Sequence, residues 1–306
     1  MQNSTVLYNI KVSVIVPVYN AAPFVRQAVE SAVDLPEVGE IILVEDNSPD
    51  NSLEICKELE AAFSKVKLYR HPNKENRGAG ASRNLGIKNA SCNYIAFLDA
   101  DDYYLPNRFK AAKSIFKQNP EADGVYDASQ LEGNYQQNNN KYRSVKKNVA
   151  PENLFYHLLK GDVGYFHTNS ITLKKHVFNE HLFDKKLRLH QDSELWFRLA
   201  YHFKLYPGNL NEPTSIVRRH ENNRITSRNI ESRSLYINTM FNYYANKQDL
   251  SSKNKTMLNR LFFINYYKKI DNRFLRAGFK RMYMFINYII GPILFKINKN
   301  KLHQFS

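Results

Sequence analysis

Val12–Val18 is an almost unbroken apolar run, and Glu40–Val44, Val66–Tyr69 and Tyr94–Leu98 read as further strands downstream. Apolar runs without polar alternation suit strands covered on both faces. Between them Phe24–Val33, Ser52–Phe63 and Ala81–Asn89 space their apolar residues for helices, with Ser48, Pro49 and Asp50 as start signals for the second. The order βαβαβαβ predicts an α/β protein with a doubly wound, mostly parallel sheet and helices on both faces. Ligands of such sheets bind beyond the carboxyl ends of the strands. Chemistry is therefore expected in the residues that directly follow the first, second and fourth strands.

Further along, Leu131–Lys147 is rich in Asn, Gln, Lys and Tyr and reads as a loop without fixed structure when free. Pro151–Lys160 predicts a helix, Ile171–Leu173 a strand and Asp192–His202 an amphipathic helix that starts on an acid. In Arg273–Ile290 the residues Leu275, Phe279, Met282, Ile286 and Ile289 fall on one side of a helix. Arg276, Lys280 and Asn287 fall on the other, and Gly291-Pro292 is expected to end it.

Composition narrows the class. The chain has 306 residues, 43% hydrophobic and 13% aromatic, with only 11 Gly and 11 Pro, which excludes a disordered or fibrous chain and allows one large domain with an appendage. Its net charge of +15 is uneven: from Ser251 onward twelve Lys and Arg face one acid, Asp271. Such a tail points to an anionic partner or to a solvated basic helix. Cys56 and Cys92 have no metal-ligand spacing and read as small buried residues in a reducing compartment. Neither a secretory signal pattern nor a membrane-spanning apolar stretch is present, so the expected location is cytoplasmic.

Acidic residues mark the candidate chemistry. Asp46 follows the second strand and can accept the imino hydrogen of a uracil ring, or it can shape the turn through bonds to backbone. Asp99-Ala100-Asp101-Asp102 follows the fourth strand, and carboxylates so crowded call for a cation. Their hard oxygens suit Mg²⁺ or Mn²⁺ beside substrate phosphates; the simpler reading is an acidic turn that caps a helix near Asn107. Gln191-Asp192 opens a helix, where the dipole favours a carboxylate for its own sake or readies a general base. Asn76–Asn84 opens another helix with Gly78 and Gly80 for close approach and Arg77 and Arg83 for phosphate. This segment is superficially like a dinucleotide fingerprint, but Arg83 replaces the third glycine and no glycine loop follows the first strand.

Taken together, Val14–Asn20, Val44–Ser48, Arg77-Gly78 with Ala81–Asn84, Phe97–Asp102, and Gln191-Asp192 with Trp196 and Arg198 resemble the family 2 glycosyltransferases of GT-A fold. The motifs stand in family order from about Lys11 to Thr226. The resemblance implies transfer of a sugar from a nucleoside diphosphate, UDP above all, to an acceptor hydroxyl, with inversion and with Mn²⁺ or Mg²⁺. It implies that Pro17, Tyr19 and Asn20 line the nucleotide pocket with Arg77, Gly78 and Ala100, and that Asp46 meets the base. Arg83 would lie near the uridine or diphosphate, Asp99 near the ribose and Asp101 on the metal, with Asp192 as the base. Arg219-His220 and Asn222–Thr226 resemble a late segment that closes over the diphosphate, where His220 would touch the metal or phosphate or remain a surface histidine.

The implied architecture is a catalytic domain over 1–228, with a nucleotide-sugar half near 11–105 and an acceptor half near 106–228. A basic helical extension follows over 229–306. The Arg273–Ile290 helix suits either an anionic membrane surface, in keeping with a saccharide or lipid-linked saccharide acceptor at the inner face of the cytoplasmic membrane, or packing on the catalytic domain. A nicotinamide-dependent oxidoreductase and a basic nucleic-acid-binding protein are the alternatives; the missing glycine disfavours the first and the absence of a nucleic-acid module the second.

Overall fold

Strand β1 (Val12–Val18) is buried on both faces and is an interior strand of a seven-stranded sheet. The computed structural model describes residues 9–132, 142–219 and 230–267, with 277–278, 281–283, 286–287, 291 and 295 beyond them. Beside β1 lie β2 (Val38–Glu45) and then β3 (Val66–Arg70) on one side, and β4 (Tyr94–Phe97) on the other, all parallel. Past β4 the sheet changes sense: β9 (Ile171–Lys174) runs antiparallel to both β4 and β6 (Gly124–Tyr126), and β10 (Leu205–Pro207) closes the edge. The result is the mostly parallel α/β sheet expected from the apolar runs.

Alternate residues of β1 serve two cores, and its one polar residue, Ser13, is buried and donates to Glu40 Oε1 (2.6 Å). Val14, Val16 and Val18 pack with α1 (Val25–Val33), α2 (Ser52–Ala62) and α4 (Lys110–Gln118). Ile15 faces the other way, among α3 (Ala79–Asn89), α5 (Pro151–Lys160) and α6 (Gln191–His202). Against this second face α3 lies so close that a side-chain carbon at Gly86 would run into Ile15 Cγ2.

Four short strands missed by sequence periodicity form a second sheet. Its order is β5 (Tyr103–Tyr104), β11 (Pro213–Val217), β7 (Ala128–Leu131) and β8 (Tyr142–Arg143). The segment expected to be an unstructured loop, Leu131–Lys147, therefore begins in β7 and contains β8 paired antiparallel to it. Residues 133–141 of that segment lie outside the described residues. Arg108, fully buried, ties the two sheets together: it donates to Thr172 Oγ1 (3.1 Å) and Ile171 O (2.9 Å) and stands 3.5 Å from Asp127. Burial holds the Asp127 carboxyl up at about 6, against the pull of Arg108 and the Asn209 amide.

Helices α7 (Ile230–Ala245) and α8 (Ser252–Tyr267) pack on α6 and α5. Met240, Phe241, Tyr244 and Leu258 share one buried cluster with Leu154, Trp196 and Phe197. Among the described residues of Arg273–Ile290, two depart from the amphipathic expectation. Met282, placed on the apolar side, is 53% exposed, whereas Asn287, placed on the polar side, is buried and donates to Thr256 O (3.0 Å). A side-chain bond to a helix carbonyl outweighs the polarity of the residue. Gly291 does not end the helix either; it is helical and lies against Thr256, where the lack of a Cβ permits close packing. No helix among the described residues is long and apolar enough to cross a membrane.

Candidate active site

The carboxyl ends of β1, β2 and β4 open onto one cleft of about 280 Å³. Pro17, Tyr19 and Asn20 reach it from β1, Asp46 from β2, and Asp99, Ala100, Asp101 and Asp102 from the turn after β4. Arg83 enters from α3, and His167, Val217 and Arg218 close the far side. Adjacent parallel strands that stop together make such a crevice. Here the pairing of Val18 with Glu45 sets Tyr19 beside Asp46.

Asp46 is 2% exposed, and each carboxylate oxygen takes one backbone hydrogen bond: Oδ1 from Arg77 N (2.8 Å), Oδ2 from Gly78 N (2.7 Å). His71 Nε2 stands 3.5 Å from Oδ1, with burial pushing the imidazole below its ordinary range against the pull of Asp46. Asp46 thus anchors the loop into α3, as its turn-shaping reading expected, and still lines the cleft, where each oxygen retains a further lone pair. Glu45 is not a cleft residue; it binds Ser48 N (2.5 Å) and Arg70 Nε (2.7 Å) and fixes the turn from behind.

The acidic turn is held by residues that sequence reasoning missed. Asn169, fully buried, donates from Nδ2 to Asp102 Oδ2 (2.6 Å) and accepts from Asp99 N at Oδ1 (2.9 Å). Arg218 donates its backbone N–H to Asp102 Oδ1 (2.8 Å) and Nη1 to Asp101 O (2.9 Å), and Nη2 binds Gln27 Oε1. Its guanidinium lies over the ring of Tyr103 at 4.8 Å. Opposite, Arg83 Nη2 donates to Asp99 Oδ1 (2.5 Å). Burial, then the charges of Asp101 and Asp99, push the Asp102 carboxyl well above the usual range despite its two hydrogen bonds.

That crowding is the condition a cation relieves. Oxygens of Asp99 and Asp102 and a ring nitrogen of His167 lie within 4.8 Å of one another. Two carboxylates and an imidazole fit Mn²⁺ or Mg²⁺ completed by phosphate oxygens and water. Asp101 is on the same turn and lines the same cleft, while His220 lies outside the described residues. His167, which heads the turn Thr168–Ser170, carried no motif; the only signal was a polar trio directly before an apolar strand.

Asp192 does not line the cleft itself. It sits in the first turn of α6, with Oδ1 accepting from Ser193 N (2.7 Å) and Oδ2 near Thr168 Oγ1 (3.4 Å). Thr168 follows His167, so one residue separates the candidate base from the cleft wall. Arg77 and Gly78 are also absent from that wall, except through the amides that hold Asp46. Gly78 adopts φ +83° and a Cβ there would sit 2.7 Å from Arg188 Nη1; one at Gly80 would meet Gln191. The glycines make room for these side chains, not for a dinucleotide, which removes the basis of the oxidoreductase alternative.

The glycosyl transferase family 2 model matches residues 13–182, which carry the parallel sheet and most of the cleft. An uncharacterized glycosyltransferase of Rickettsia felis is 33% identical over 199 residues, covering 64% of this chain and 31% of that protein. The minor teichoic acid biosynthesis protein GgaB of Bacillus subtilis is 30% identical over 196 residues, covering 61% of the chain and 21% of the relative. The chain thus spans less than a third of the length of these relatives. Among solved structures, S. aureus TarS 1-349 in complex with UDP-GlcNAc superposes with a TM-score of 0.65 at 20% identity, over 85% of this chain and 73% of that one. The mannosyltransferase PcManGT of Pyrobaculum calidifontis, in complex with GDP-Man and Mn²⁺, gives 0.56 at 15% identity, over 95% and 88%. With the matched model covering more than half its length, the chain belongs to glycosyl transferase family 2.

Proposed function

We propose that the chain transfers a hexose or N-acetylhexosamine from a UDP-sugar to an acceptor hydroxyl, with inversion, in the synthesis of a cell-envelope polysaccharide or glycolipid. One observation carries this reading: a single cleft joins Asp46 at one end to the Asp99–Asp102 turn and Arg83 at the other, with Asp192 one residue beyond its wall. The uracil edge meets the Asp46 end, where Tyr19 offers a 39% exposed ring, and the diphosphate meets Arg83 and the acidic turn. Asp99, Asp102 and His167 would hold the Mn²⁺ or Mg²⁺, with Asp101 on the same turn and His220 a further candidate. The cation supplies neutralisation of charge on the departing diphosphate.

Asp192 takes the proton of the acceptor hydroxyl as the acceptor oxygen bonds to the anomeric carbon; the bond from that carbon to the diphosphate breaks on the opposite side, with inversion. Ser193 N and Thr168 Oγ1 hold the Asp192 carboxylate in place for that proton. The teichoic acid role of the B. subtilis relatives and the UDP-GlcNAc held by TarS support the donor and the acceptor class. The described residues that line the cleft lie between Pro17 and Arg218.

Hydrolysis of a panel of nucleotide sugars tests the donor. Asp192→Asn is expected to keep UDP binding and lose turnover by about a hundredfold or more. Wild-type turnover in that variant would remove Asp192 from the mechanism.

A further inference from the structure

A second concavity, of about 790 Å³, lies on the other side of the Arg77-Gly78 backbone. The partition between it and the cleft is thin. The Gly78 amide holds Asp46, which lines the cleft, while the side-chain face of Gly78 meets the Arg188 guanidinium, which lines the groove.

The rim is strongly cationic: Arg77, Lys88, Lys175, Lys185 and Arg188 line it against one acid, Glu75. Glu75 offsets only Arg77, at 3.3 Å, and Lys175 is turned to Ala90 O. Lys88 and Lys185 are exposed and form no ion pair among the described residues. His71, also on the wall, adds little positive charge because burial holds its imidazole below the ordinary range. The floor is aliphatic, from Ala81, Leu85, Ile87 and Leu182, with Phe178 buried beneath it.

We propose that this groove holds the phosphodiester-linked polyol or saccharide chain of the acceptor, so that the enzyme glycosylates an anionic polymer. Regularly spaced phosphates match separated rim cations, and the carbon backbone between phosphates matches an aliphatic floor. A flat bilayer does not fit a concavity. A nucleic-acid strand would need rings on which bases stack, and the described lining offers no exposed aromatic. Arg188 of the groove also stands in the loop into α6, whose first turn carries the candidate base Asp192. That the occupant is the acceptor rests on the transferase reading above.

The test uses the whole chain and poly(glycerol phosphate) as probe, without nucleotide, at several salt concentrations. Lys88→Glu with Lys185→Glu is compared with Lys57→Glu and Lys117→Glu, two exposed lysines on α2 and α4 across the sheet, which change net charge equally. The groove pair is expected to weaken binding at least about tenfold and the distant pair less than about twofold, with steep salt dependence in the wild type. Equal losses in both pairs, no binding by the wild type, or tighter binding of a single-stranded oligonucleotide through the same lysines would overturn the proposal. Stabilisation by UDP with Mn²⁺, measured on the same proteins, separates the two readings: its absence in the wild type defeats the donor assignment, whereas polymer binding alone decides the groove.

Discussion

Asn169→Leu cuts two of the bonds that hold the acidic turn, leaving those from Arg218 and Arg83, while nearly conserving volume. Asn169 is fully buried, donates 2.6 Å to Asp102 and accepts 2.9 Å from the Asp99 amide. A hydrogen bond to a charged group contributes about 1.5–3 kcal/mol, and stranding a buried N–H costs about 1–3 kcal/mol. The two losses share one turn and do not add fully, so the expected destabilisation is about 3 kcal/mol. For a chain of this size that lowers the melting temperature by about 5 °C or more. Trp196, the single tryptophan, reports the transition in urea because it packs against Phe97 and Phe183 in the adjacent core. The same variant is expected to lose UDP affinity in Mn²⁺ by at least about tenfold, or about 1.4 kcal/mol, since the ligands of the cation are no longer fixed. A stability change under about 0.5 kcal/mol together with unchanged nucleotide affinity would refute the claim that Asn169 organises the site.

Gly86→Ala is expected to destabilise by about 1–3 kcal/mol in chemical denaturation, because the added methyl runs into Ile15; stabilisation, usual for this change in an open helix, would contradict the close α3–β1 packing. Glu40 is nearly buried, and burial is outweighed by hydrogen bonds from Lys67, Ser13 and Ser91, which hold its carboxyl at about 2. Its ordinary value is 4.5, so its contribution is complete above that pH and is lost as pH falls toward 2. Glu40→Gln is therefore expected to cost about 3 kcal/mol at neutral pH and progressively less below pH 4.5, and a cost that grows on acidification would contradict the assignment.

The parallel half of the fold was legible because strands buried on both faces leave unbroken apolar runs that stop at polar residues. Asp46 and the Asp99–Asp102 turn were found by that rule alone. The second sheet escaped it: β5 and β8 have two residues each, too few to show a period. Asn169 and Arg218 escaped for another reason. Their bonds to Asp102 span 67 and 116 residues of chain, and nothing local marks an Asn or Arg that serves a distant carboxylate. In the tail the helical period put Asn287 on the polar side, but a period does not show which neighbour a face meets, and Asn287 meets α8 through Thr256.

Calorimetric titration of UDP into the chain, with Mn²⁺ and then with excess chelator, tests the central claim most directly. Saturable binding that requires the cation, and that Asp99→Ala abolishes, is the expected result. UDP bound as tightly in chelator, or not at all in Mn²⁺, would contradict it.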